Sequence, residues 1–297
     1  MFINSVRINS EDFPSQHHYP FNVAVLRQTS ELRFEKPIVF FVGENGSGKS
    51  TLLDAIARKC GIHVWDKPRR HLAHENPYED RLKDFIEVNW TNGRVAGSLF
   101  RAQTFHDMAD FLDDLAICDP GRIKYHGGRL LNVLSHGEGI LSYFAGRFQV
   151  KGLYLLDEPE AALSPKSQVG FLKLLNELEA SGHAQFIMAT HSPILMAYPG
   201  AQILTFDGKQ IKEVSYEETS HYQVYKQFFT DRSRMVAPMP GLHSTARSDA
   251  EVGPRPRETD EPEQNRNHPQ HAPNLPAGQN GRGSRRERTA PIETKER

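Results

Sequence analysis

Gly43-Glu44-Asn45-Gly46-Ser47-Gly48-Lys49-Ser50-Thr51 satisfies the G-x-x-x-x-G-K-[ST] pattern for phosphate binding. Glycines at this spacing let successive backbone N–H groups point into one concavity, and a following helix adds its positive N-terminal end. Lys49 brings a full charge to the β- and γ-phosphates, and Ser50 is left to ligate Mg2+. A chance match is the bland alternative, and the flanking residues argue against it. The apolar run Ile38-Val39-Phe40-Phe41-Val42 ahead of the motif reads as a buried parallel strand, and the apolar positions 52, 53, 56 and 57 behind it have helical spacing. The pattern therefore predicts that the chain binds a nucleoside triphosphate.

Two more strand ends bring polar groups suited to the same chemistry. Leu153-Tyr154-Leu155-Leu156 ends in Asp157-Glu158-Pro159, where adjacent carboxylates can divide two tasks. Asp157 would hold the Mg2+ shell, and Glu158 would orient and deprotonate an attacking water. Two acids in a surface turn is the alternative, and it fits poorly because the strand reads as fully buried. Phe186-Ile187-Met188-Ala189-Thr190-His191 repeats the arrangement, bringing His191 to the carboxyl edge where ligands bind in open parallel sheets. A lone histidine is more often structural; the weight of His191 comes from the single helix that separates it from Asp157. That helix has Ser164 as N-cap, Pro165 in its first turn, Val169, Leu172, Leu175 and Leu178 on one face, and Gly182 as its stop. In Leu134-Ser135-His136-Gly137-Glu138-Gly139, Ser135 and Glu138 form a capping box, and the same helix start suits an anion such as the γ-phosphate of another subunit's nucleotide. The two readings are compatible.

The order of these segments, together with Gln103, resembles an ABC-type ATPase over roughly residues 1–230. The forms Asp157-Glu158-Pro159-Glu160 and Ala189-Thr190-His191-Ser192-Pro193 resemble its soluble branch, above all the compact stand-alone ATPases of the AAA-domain group, and more distantly SMC, RecF and overcoming-lysogenization-defect proteins. The resemblance implies an α/β P-loop NTPase fold: an ABC-type core with a mostly parallel central sheet, N-terminal antiparallel strands and an inserted helical subdomain. It implies that Gly43 to Thr51 (Walker A), with Ser135, Gly137 and Glu138, contact ATP, and that Ser50, Asp157 (Walker B) and Gln103 attend the Mg2+. Glu158, His191, Gln103 and Lys49 would be catalytic. The family stacks adenine on an aromatic upstream of the phosphate loop; Tyr19 and Phe21 are candidates, Tyr19 preferred, and either could instead be packing. It further implies an ATP-sandwiched homodimer that hydrolyses ATP, in DNA maintenance or defence, with DNA or an effector protein as partner. The alternatives are the energising subunit of a transporter, which would need a permease, and a low-turnover binding switch.

Three departures qualify the resemblance. His136 stands where the signature usually has glycine, and Glu138 where transporters generally have glutamine, which leans away from transport. Ser164 replaces an aspartate common in transporter subunits, so communication between subunits through that loop could differ. The stretch between Lys49 and Asp157 is short and has no heptad run, which excludes an SMC arm protein. Nothing folded after His191 supplies the clustered carboxylates of a nuclease.

Composition sets the elements around these residues. With 297 residues and 38% hydrophobic content, the chain can build one sizeable α/β domain, expected over 1–236 with an inserted helical segment at about 65–146. Strands are expected up to about 36, then at 153–156, 185–190 and 202–206, with helices at 105–117, 139–148 and 219–229. From about residue 237 the chain is rich in Pro, Arg, Glu, Asn and Gly, a composition expected to stay disordered; its cluster of Arg282, Arg285, Arg286 and Arg288 reads as solvated. A net charge of −1 draws the chain globally to neither DNA nor membrane. No run of 18 apolar residues and no N-terminal signal pattern is present, and two cysteines suit a reducing compartment, so a cytoplasmic protein is expected. Cys60, His63, His71 and His74 are tempting metal ligands, but their spacing matches no standard zinc module.

Overall fold

The computed structural model describes residues 1–65 and 76–236. Its strands are β1 (Ile3–Ile8), β2 (Glu31–Arg33), β3 (Ile38–Val42), β4 (Ile86–Trp90), β5 (Gly97–Arg101), β6 (Gly152–Asp157), β7 (Ala184–Ala189), β8 (Gln202–Thr205) and β9 (Lys212–Glu213). Its helices are α1 (Ala24–Gln28), α2 (Lys49–Lys59), α3 (Phe105–Cys118), α4 (His136–Arg147), α5 (Pro165–Ser181), α6 (Pro193–Met196), α7 (Ser220–Thr230) and α8 (Arg232–Met235). The expected tail, its arginine cluster, and His71 and His74 lie outside the described residues.

A six-stranded sheet in the order β5-β6-β7-β3-β8-β9 carries the core, and all its neighbours run parallel except β9 against β8. Each residue of β3 is buried because both sheet faces are covered, which is why the strand reads as an unbroken apolar run. Val39 and Phe41 join the cluster that holds Leu52, Leu53 and Ile56 of α2. Ile38, Phe40 and Val42 join the opposite cluster, with Ile140 and Phe144 of α4 and Phe171 and Leu175 of α5. β6 alternates in the same way, Leu153 and Leu155 to one side and Tyr154 and Leu156 to the other.

A smaller antiparallel sheet, β2-β1-β4, lies on the α2 side, where Ile3, Val6, Ile8 and Leu32 enter the same cluster as α2. The segment expected to be helical therefore also supplies two strands, β4 to the small sheet and β5 to the edge of the large one. β4 has the alternation Ile86-Glu87-Val88-Asn89-Trp90, a period-2 signal that the helical expectation passed over. α4 starts at His136, where the Ser135–Glu138 capping box marks a helix start, ahead of the coarser 139–148 range. The Ser164 hydroxyl accepts from the Ser167 N–H at the start of α5, and Gly182 ends that helix in the left-handed region.

Gln185, fully buried in β7, joins the two sheets. Its Oε1 accepts from the Phe2 N–H at 2.6 Å and the Ile3 N–H at 2.9 Å, while its Nε2 donates to the Ile3 carbonyl at 2.9 Å. Removing this amide would strand buried backbone donors, each of which costs about 1–3 kcal/mol when unsatisfied. Gln185→Leu should therefore lower unfolding stability by about 3 kcal/mol, read as a lower urea midpoint.

Candidate functional site

The phosphate loop leaves the carboxyl end of β3 between β7 and β8, at the same sheet edge as the ends of β6, β7 and β8. Two of its glycines are sterically required. Gly43 has φ 143, and a Cβ there would lie 2.8 Å from Asp207 Oδ1; Gly48 has φ 102, and a Cβ there would lie 2.8 Å from Val23 Cγ1. Asp207, just past β8, anchors the loop by accepting the Glu44 N–H at 2.7 Å. Lys49 is 4% exposed, and its Nζ donates to the Gly43 carbonyl at 2.6 Å and the Glu44 carbonyl at 2.9 Å. Burial of the ammonium pushes its pKa down, opposed by the carboxylates of Asp207, Glu158, Asp157 and Glu44.

A cavity of about 680 Å3 runs from Asn45–Thr51 to Tyr19, with Glu158 on its wall. The Tyr19 ring is 44% exposed and its hydroxyl lies 3.0 Å from Thr51 Oγ1, whereas Phe21 is fully buried among Phe13, Tyr78 and Phe85. Of the two aromatics, Tyr19 lines the cavity.

At the mouth of the loop the Ser50 hydroxyl donates to Asp157 Oδ1 at 2.7 Å. Two hard oxygen donors so close together suit Mg2+. The second carboxylate oxygen of Asp157 faces Arg101 Nε at 3.5 Å, and Arg101 Nη2 donates to Asp54 Oδ1 at 2.7 Å. Arg101 was not singled out in the sequence; the pairing of β5 with β6 sets it opposite Asp157. Burial pushes the Asp157 carboxyl up, opposed by the Ser50 hydroxyl and the Arg101 guanidinium. Glu158 sits at φ 50, ψ 52, and among the described residues no other side-chain-bearing residue has a positive φ. Such a conformation costs about 1–3 kcal/mol and persists where its surroundings enforce it; here the Glu158 N–H donates to the Ala189 carbonyl at 2.9 Å.

His191, past β7, presents Nε2 toward Glu158 Oε1 at 3.8 Å, and that nitrogen is buried with no hydrogen-bond partner. Its backbone N–H donates to Glu160 Oε1 at 2.5 Å, and its Nδ1 lies 3.0 Å from His221 Nε2. Burial pushes the His191 pKa down, with Lys49 and His221 acting in the same direction, while burial pushes the Glu160 carboxyl up. Asp207 and His221 carried no sequence motif, and only the fold brings them here; Glu160 lay in the quoted Asp157–Glu160 segment without a role assigned to it.

Gln103, Ser135, Gly137 and Glu138, all singled out in the sequence, stand apart from this cavity. Gln103 is exposed on the turn Ala102–Thr104 after Arg101. Ser135 and Glu138 are exposed at the start of α4, where the Ser135 N–H and hydroxyl donate to Glu138 Oε2 at 3.2 and 2.6 Å. These bonds hold the Glu138 carboxyl below its usual pKa. Gly137 of the same segment abuts the turn after Glu158, a Cβ there falling 3.4 Å from the Ala162 carbonyl. The His136 ring packs edge-on against Phe105, with centroids 5.5 Å apart. Among the described residues no group of three His, Cys, Asp or Glu side chains could hold a metal ion, and burial pushes the Cys60 thiol up to about 12.

Residues 21–71 match a family model described as "AAA domain", and residues 122–197 match one described as "AAA domain, putative AbiEii toxin, Type IV TA system". The first match contains the phosphate loop; the second contains Ser135, Asp157, Glu158 and His191. The chain is also 27% identical over 219 residues to the nisin transport ATP-binding protein NisT of Lactococcus lactis subsp. lactis, covering 66% of this chain and 36% of that protein. In sequence this chain is similar to ABC-type P-loop ATPases. It is also 27% identical over 186 residues to the thiamine import ATP-binding protein ThiQ of Haemophilus influenzae (strain 86-028NP), covering 59% of this chain and 86% of that one. A nucleotide-free ATP-binding cassette from an ABC transporter superposes with TM-score 0.45 at 17% identity, covering 78% of this chain and 96% of that chain. Among the described residues, no helix is long and apolar enough to cross a membrane.

Because Gly48 combines a left-handed backbone with contact against Val23, Gly48→Ala should lower stability by about 1–3 kcal/mol in a thermal melt. The same variant should lose most of its affinity for a fluorescent nucleoside triphosphate, measured by anisotropy.

Proposed function

We propose that this chain binds and hydrolyses ATP with Mg2+, two copies closing head to tail over the nucleotide. The observation that carries the reading is that Lys49, Ser50 and Glu158 line the phosphate-loop cavity, with Asp157 bonded to Ser50 and the unpartnered Nε2 of His191 3.8 Å from Glu158. The loop N–H groups and the start of α2 would hold the phosphates, and Lys49 would exchange the carbonyls of Gly43 and Glu44 for phosphate oxygens. Ser50 and Asp157 would hold the Mg2+, which when bound neutralises phosphate charge. Glu158 accepts a proton from the attacking water, and His191 donates from Nε2 to the γ-phosphoryl oxygens as charge develops there. Tyr19 stacks on adenine.

Ser135 and Glu138 are exposed, Gly137 between them is half-buried, and all three lie away from their own cavity, so in this reading they meet the nucleotide of the second copy. Gln103, on the turn that continues from Arg101 beside Asp157, would reach the metal and water on closure. Hydrolysis then removes the group that both copies hold, and the conformational work is directed to DNA or an effector protein. A second reading, the energising subunit of a transporter, is favoured by the similarity to the nisin and thiamine transport proteins. The residues 1–236 would form the ATPase domain.

Glu158→Gln should slow phosphate release by about a hundred-fold or more. The same variant should run as a dimer by light scattering when saturated with ATP and Mg2+; a monomer that still hydrolyses normally would sink the assignment. Double-stranded DNA should stimulate the wild-type chain, whereas co-purification with a permease and indifference to DNA would select the transporter reading. Ser50→Ala and Asp157→Asn should each abolish the Mg2+ dependence of nucleotide affinity, read by titrating the metal at fixed nucleotide.

A further inference from the structure

A neutral imidazole has one N–H and one acceptor nitrogen, so whatever occupies one nitrogen decides the other. His191 Nδ1 and His221 Nε2 are 3.0 Å apart and share a single hydrogen between them. The other nitrogen of His191, Nε2, faces the Glu158 carboxylate at 3.8 Å. An ionised carboxylate only accepts, so the favourable tautomer of His191 has its hydrogen on Nε2. Nδ1 must then accept, and His221 Nε2 must donate.

His221 lies next to the residues that anchor the phosphate loop. It follows Ser220 at the start of α7, and its Nδ1 lies 3.4 Å from Ser220 Oγ. That hydroxyl donates to Asp207 Oδ2 at 3.0 Å, and Asp207 Oδ1 accepts the Glu44 N–H at 2.7 Å. Thr219 caps α7 by accepting the Tyr222 N–H, which fixes where Ser220 and His221 point. The Ser220 hydrogen is thus given to Asp207, and His221 Nδ1 receives none from it. Burial pushes both imidazoles toward the neutral form, in which the tautomer matters. Asp207, Ser220 and His221 all lie beyond residues 21–71 and 122–197, the stretches that the family models match.

We propose that His221 is a positioning residue: its Nε2–H holds His191 in the tautomer that presents a hydrogen from Nε2. The catalytic consequence rests on the ATPase reading of His191; the tautomer does not.

Two measurements on the full chain separate the two. In the first, histidine ring nitrogens are labelled with 15N, His191 is assigned with His191→Gln, and the tautomer is read from long-range proton–nitrogen correlations. Wild type should show His191 with hydrogen on Nε2. His221→Ala should give a mixture, and His221→Gln, whose amide still donates, should restore the single form. A wild-type His191 with hydrogen on Nδ1, or one unchanged by His221→Ala, overturns the proposal whatever the hydrolysis rate. In the second, His221→Ala should lower kcat by about ten- to a hundred-fold with KM for ATP retained, and His221→Gln should recover most of it. In a His191→Ala background His221→Ala should have no further effect, since the two act as one unit. An equal loss in both backgrounds would assign His221 to the fold and overturn the proposal. If wild type hydrolyses nothing while its His191 tautomer depends on His221, the ATPase reading fails and the positioning role stands.

Discussion

The pairing of β3 with β7 on one side and β8 on the other is the constraint on which the site depends. Parallel neighbours end at one edge, so the residues after β3, β6, β7 and β8 are brought together however far apart they lie in the chain. Each strand needs both faces covered, and α2 and the small sheet on one side with α4 and α5 on the other meet that need. The loop after β3 then has no room to vary. Asp207 fills the space a Cβ at Gly43 would take, and Val23 fills that at Gly48.

The electrostatics follow from the same packing. Burial disfavours the charged forms of Lys49, Asp157, Glu160 and His191 together, shifting each in its own direction. Partners compensate locally: loop carbonyls for Lys49, Ser50 and Arg101 for Asp157, a backbone N–H for Glu160. Among the described residues His126 Nδ1, His191 Nε2 and one oxygen of Glu160 are left without a partner, and the last two border the site. The left-handed Glu158 belongs to the same pattern, a backbone held off its preferred region by the turn between β6 and α5.

Two joints transmit the arrangement beyond the sheet. Gln185 links β7 to the start of β1 through three hydrogen bonds, so the small sheet is registered on the strand that leads to His191. α7 has no buried residue, yet its first turn meets both Asp207 and His191. A peripheral helix is thereby engaged with the site through polar contacts rather than apolar packing.

Local signals in the chain determined a large part of this. The glycine spacing of 43–48, the apolar runs of β3, β6 and β7, the caps of α4 and α5, and the acidic pair at 157–158 are each legible because glycine, proline, capping hydroxyls and buried strands impose local patterns. The period-2 pattern of β4 was legible too, and was outweighed by the helical expectation for its segment. Only the tertiary structure decided the rest. Arg101 reaches Asp157 through strand register, Asp207 reaches Glu44 across a parallel pairing, and His221 reaches His191 from a helix later in the chain. Tyr19 and Phe21, two positions apart and both aromatic, were separated only when the fold buried one and left the other on the cavity wall. Contacts between segments distant in the chain leave no local period or cap to read, because they are set by which faces the sheet brings together.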